Sequence, residues 1–92
     1  MKEANRSYIN PAIKELSMQD LKPLAELVAR ARAQYLEYLF NLSQDYNGNE
    51  NLPTNDEIEH LAQLRRRFID LVEGSKSFET AIQRGYLDLM PS

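Results

Sequence analysis

The chain lacks cysteine and tryptophan altogether, and among its 92 residues it has a single histidine and three glycines. Without thiols, disulfides, thiolate metal sites and a cysteine nucleophile are excluded. With one histidine, a zinc site would have to rest on carboxylates, which is uncommon. His60 is read instead as a surface residue on the polar side of a helix. The glycines stand apart from one another, so there is no glycine-rich phosphate loop. No apolar run approaches the roughly 20 residues of a membrane span, and Met1 to Tyr8 has no apolar core of a signal peptide. These absences lead us to expect a cytoplasmic protein with no membrane contact, no cofactor and no bound metal. No serine sits in a nucleophile elbow. The acids Glu37, Asp70 and Glu73 fall on solvent-facing helix sides, so no enzyme is expected.

The net charge is −3 and unevenly spread. Residues 44–60 carry Asp45, Glu50, Asp56, Glu57 and Glu59 with no lysine or arginine, whereas the segments on either side are close to balanced. That distribution argues against nucleic acid as the main partner, because phosphate binding needs a basic face.

What the chain has in quantity is strong helix formers, above all from Asp20 to Ser43. At about 100° per residue, Leu21, Leu24, Leu27, Val28, Ala31, Tyr35, Tyr38, Leu39 and Leu42 gather on one broad face. Ala25, Ala29, Ala33, Leu36 and Phe40 gather on a neighbouring one. Glu26, Arg30, Glu37 and Asn41 leave only a narrow polar side. A helix apolar over so much of its girth is packed on more than one side. The second stripe is expected to be covered either by the chain's own end segments or by another subunit. Asp20 is the preferred N-cap, because Pro23 then falls at the third helical position, where no backbone bond is lost; Ser17 is the alternative cap.

Residues 1–9 are expected to fray, and Asn10-Pro11 reads as the start of a short helix with Ala12, Ile13 and Leu16 on its apolar side, and Tyr8 or Ile9 packing back. Residues 44–53 read as a flexible loop turning at Asn47-Gly48. Thr54 and Glu57 form a capping box that opens a second helix, from Asn55 to about Glu73, stopped by Gly74. Its stripe is Ile58, Leu61, Leu64, Phe68, Ile69, Leu71 and Val72. Ser75 or Ser77 would cap a third, short helix ending before Gly85. The tail Tyr86, Leu87, Leu89, Met90, up to Pro91, is too apolar to float, and it is the second internal candidate to cover the long helix.

Two further features carry hypotheses. Arg65 falls inside the stripe of the second helix, between Ile58, Leu61, Phe68 and Val72. It either snorkels to solvent or serves as a partner-facing arginine at an interface. The loop Asp45, Asn47, Asn49 with Asp56 has some of the spacing of a calcium loop. Its glycine is misplaced and its last ligand is not glutamate, so a polar loop is the better account.

The fold class expected is all-α: one helical domain over residues 1–92, built as a long antiparallel helical hairpin with short N- and C-terminal helices packed across it. Dimerisation would complete a four-helix bundle. No stretch carries a specific chemical signature. The function expected is that of a small non-catalytic interaction protein, a regulator, adaptor or chaperone-like subunit. It would use Ala25, Ala29, Ala33, Leu36, Phe40 and Arg65 toward a second copy of itself or another helical protein. The alternative is a nucleic-acid-binding regulator using Arg30, Arg32 and Arg65, Arg66 and Arg67. An enzyme with a carboxylate-only metal site would need several inward acids, and none is evident.

Overall fold

The computed structural model describes residues 2–12 and 16–90; Met1, Ile13 and Pro91, which figure in the expectations above, lie outside them. Three α-helices carry the chain: α1 (Lys2–Ala12), α2 (Lys22–Asp45) and α3 (Asn55–Gln83). Helix takes up 79% of the structure and two of the helices pack against each other, so the class is all-α. Among the described residues a 3₁₀ turn (Met18–Leu21) and a parallel pair of two-residue strands, β1 (Leu16–Ser17) and β2 (Leu89–Met90), with Leu16 opposite Leu89, are added to the α-helices.

The chain divides into two units, an end unit of residues 1–26 with 73–92 and an inner unit of residues 27–72. The end unit is built on Leu16, Ala81 and Leu87, with Ile9, Leu21, Phe78, Ile82, Tyr86 and Leu89 packed against them. Leu16 and Leu87 are almost fully withdrawn from water, at 5% and 3% exposure. The strand pair gives partners to backbone groups that this burial would otherwise orphan. Arg6 ties α1 into the same unit. Its guanidinium donates to the Gly85 carbonyl at 2.7 Å and in a two-toothed grip to both carboxylate oxygens of Asp88.

Several sequence expectations are corrected here. The first helix begins at Lys2, not at Asn10, and carries Asn10-Pro11 in its last turn, so the segment expected to fray is the helix body. Arg6 and Ile9 stand three residues apart on one side and supply the anchoring that local propensity does not reveal. Ser17, not Asp20, caps the next segment, a 3₁₀ turn over Met18–Leu21. Asp20 instead accepts the Ser17 backbone N–H at 2.8 Å and the Ser17 hydroxyl at 3.2 Å. Pro23 becomes the second residue of α2, just after the Lys22 N–H closes onto the Gln19 carbonyl. Its missing N–H falls where one kind of turn passes into the other.

The largest difference is at Gly74. Instead of stopping there, α3 runs straight through for 29 residues, and Gly74 does not have the positive φ of a helix terminator. Ser77 is no cap either; its hydroxyl donates back to the Glu73 carbonyl at 3.0 Å. Glycine in a helix interior costs about 1 kcal/mol. Burying Phe78, Ala81 and Ile82 in the end-unit core outweighs that cost. The real stop is at Gly85, with φ +78°. The Tyr86 N–H reaches the Ala81 carbonyl at 2.8 Å and the Gly85 N–H the Ile82 carbonyl at 3.1 Å. This is the Schellman closure, complete with its apolar contact from the residue after the glycine.

In the inner unit the buried side chains are Ala31, Leu42 and Leu64. Tyr35 stacks near Phe68 at 6.1 Å between ring centres, and Tyr38 meets His60 edge-on at 4.6 Å. A regular set runs through the positions drawn inward: Val28, Ala31, Tyr35, Tyr38 and Leu42 on α2, and Leu61, Leu64, Phe68 and Leu71 on α3, alternating three and four residues apart, with Ala62, Ile69 and Val72 half-buried beside them. That is the 3.5-residue period of a coiled-coil seam.

Candidate functional site

The seam uses one face of α2, and the candidate site is the face beside it. Ala29, Ala33, Leu36 and Phe40 of the inner unit are all exposed, Leu36 at 51% and Phe40 at 62%. The face runs from small to large along the helix, alanines first and bulky side chains last. Ala25 belongs to the end unit, where it lines a small cleft of about 120 Å³ with Leu21, Leu24 and Phe78. In the tail, which the sequence offered as an internal cover, Leu87, Tyr86 and Leu89 build the end-unit core.

Arg65 is exposed on α3, and so is Ile58 beside it. The seam falls to one side of both, on Leu61, Leu64 and Phe68, which resolves the apparent charge inside an apolar stripe. The other arginines do not form one face. The Arg32 guanidinium lies 5.3 Å over the Phe68 ring, a cation–π contact. Arg30, on the far side of α2, lines a cleft of about 260 Å³ with Leu27, Gln34, Arg67 and Leu71. No carboxylate lines that cleft. A second shallow cleft, about 350 Å³, is lined by Glu37, Tyr38, Asn41, His60 and Arg67, among others. His60 is exposed, as expected of a surface histidine, and its ring also meets Tyr38.

The loop after α2 is tied to α3 by one side chain. The Tyr46 hydroxyl donates to Glu57 Oε1 at 2.5 Å, and the same oxygen accepts the Thr54 N–H at 2.9 Å. The Glu57 N–H in turn reaches the Thr54 hydroxyl at 3.2 Å, which closes the expected capping box. The bond from Tyr46, then that from Thr54, hold the Glu57 carboxyl below its usual range. The same bond to Glu57 raises the Tyr46 phenol. Asn49, considered as a calcium ligand, uses its side-chain oxygen to accept the Asn51 N–H at 2.8 Å. Gly48 turns the chain there at φ +73°. Among the described residues no three histidine, aspartate or glutamate side chains gather as metal ligands, and no helix is long and apolar enough to cross a membrane.

Sequence reasoning grouped Ala25, Ala29, Ala33, Leu36 and Phe40 on one face and expected that face to be covered; Leu36 and Phe40 instead stand exposed. It missed the seam's 3.5-residue period, although the spacing of Val28, Ala31, Tyr35, Tyr38 and Leu42 carries it. It also missed the Tyr46–Glu57 tie, which no local pattern announces. No protein family, curated protein or solved structure matches the chain.

Proposed function

We propose that this chain is a small non-catalytic helical interaction protein, a regulator, adaptor or chaperone-like subunit. It acts through the outer face of α2. The observation that carries the reading is the pair Leu36 and Phe40. Two large apolar side chains stand exposed on a helix whose other face is already committed to a core. In this reading α2 and α3 form an antiparallel helical hairpin, consistent with Tyr38 meeting His60 while Tyr35 meets Phe68. A second hairpin laid on the outer face makes a four-helix bundle, from another copy or another helical protein. The setting that suits such a cysteine-free chain is the cytoplasm.

Sedimentation equilibrium of the wild type, Leu36→Glu and Phe40→Glu tests this. The expected wild-type mass rises above 10.7 kDa with concentration, and each glutamate returns it to the monomer with the helical circular dichroism intact. A wild-type chain that stays monomeric at millimolar concentration removes self-association. The nucleic-acid reading draws on Arg30 and Arg67 sharing one cleft. It weakens where Arg32 turns onto Phe68. No shift of labelled DNA or RNA at low salt would dismiss it.

A further inference from the structure

Resting on that docking-face reading, we infer that its occupant is a second copy of the chain, running antiparallel, with the twofold axis passing close to Ala33. Two observations point the same way. The first is steric. Ala29 and Ala33 are small, and Leu36 and Phe40 are large and exposed. A parallel pair would set Phe40 on Phe40 and Ala29 on Ala29, wedged open at one end and hollow at the other. An antiparallel pair about Ala33 lays Leu36 of each copy over Ala29 of the other, large on small, which is how close-packed helices interlock. The single patch then serves both partners.

The second observation is charge. Arg30 and Glu37 are both exposed and, two turns apart, share nearly the same angular position on one flank of this face. Seven residues is too far for them to pair within one helix, where partners stand three or four apart. Their midpoint lies beside Ala33, so the same axis brings Arg30 of each copy alongside Glu37 of the other, twice. A parallel twofold pair would set the two Arg30–Glu37 flanks on opposite sides of the interface, where they do not meet.

The absence of cysteine makes the test clean, because a substitution introduces the only thiol. Ala33→Cys, Ala29→Cys and Leu36→Cys are each oxidised in solution after helical circular dichroism has confirmed folding. The expected result is that Ala33→Cys links to itself. Ala29→Cys and Leu36→Cys link only when the two are mixed, given the 4.4–6.8 Å window between Cα atoms that a disulfide needs. A charge test is independent of thiols. Arg30→Glu is expected to weaken dimerisation roughly tenfold, and adding Glu37→Arg to restore it to within about threefold. Dimeric mass with self-links at positions 29 and 36, or with no link at any of the three, overturns the antiparallel register. So does a double variant no tighter than Arg30→Glu. Both results leave the docking face standing. A wild-type chain that is monomeric throughout removes the second copy as occupant as well.

Discussion

Replacing Gly74 with alanine gives opposite results for a helix that passes through and for a helix that stops. In the structure Gly74 lies inside α3, its φ is not positive, and a Cβ built on it meets nothing within 4 Å. The substitution therefore adds no clash, and it removes conformational freedom that only the unfolded chain enjoys. Interior glycine-to-alanine changes stabilise by about 0.8–1 kcal/mol. For a domain of this size that corresponds to a rise in melting temperature of about 4–8 °C. Thermal unfolding followed at 222 nm, with urea midpoints as a second measure, reads the effect. Were Gly74 a terminator in the left-handed region, the alanine would destabilise by about the same amount. A lower melting temperature for Gly74→Ala would refute the continuous helix and restore the break that glycine suggests.

Gly85→Ala is expected to do the reverse, because φ is +78° there; a loss of about 1 kcal/mol in urea unfolding checks it. Leu87→Ala, at 3% exposure, should cost about 3 kcal/mol in the same assay, and a loss below about 1 kcal/mol would contradict the end-unit core. For Tyr46 and Glu57 the sign runs on two sides. The lowered Glu57 carboxyl contributes stability that is present above its ordinary range near 4.5 and lost as pH falls. The raised Tyr46 phenol contributes stability that is present below 10 and lost as pH climbs past its folded value. Tyr46→Phe should therefore flatten the pH–stability curve at both ends, and an unchanged curve would argue against the tie. Asp88, lowered first by its bond to Arg6, contributes above about pH 3.8 and loses its effect below. Asp88→Asn should remove that acid limb in urea midpoints measured between pH 2 and 6.

How much of this was legible depended on how far apart the deciding residues stand. The Thr54–Glu57 box and the stop at Gly85 are local, and the sequence announced both. Gly74 carries an equally local signal, worth about 1 kcal/mol. It lost to a core that joins Ala81 to Leu16, which no window along the chain can see. The body of α1 was hidden for the same reason, since Arg6 finds Asp88 across 82 positions. The β1–β2 pair arises only because Leu16 and Leu89 are brought side by side. Ser17 and Asp20 were both visible as caps, and choosing between them required knowing that a 3₁₀ turn comes first. The alignment of Ala29, Ala33, Leu36 and Phe40 on one side of α2 was readable from angular position alone. Arg65 looked buried because the wheel shows direction but not which part of a wide stripe the neighbouring helix covers.

The meeting of Leu16 with Leu87 also orders events during synthesis. Residues 27–72 are one unbroken stretch, so their seam needs only nearby segments. The other core needs a strand from each side of that stretch, and closing so long a span is the slow step in reaching it. A nascent chain stalled before Leu87 emerges would thus hold the inner unit formed and leave α1 and Leu16 exposed to proteases, until the segment carrying Leu87 and Leu89 emerges and joins them.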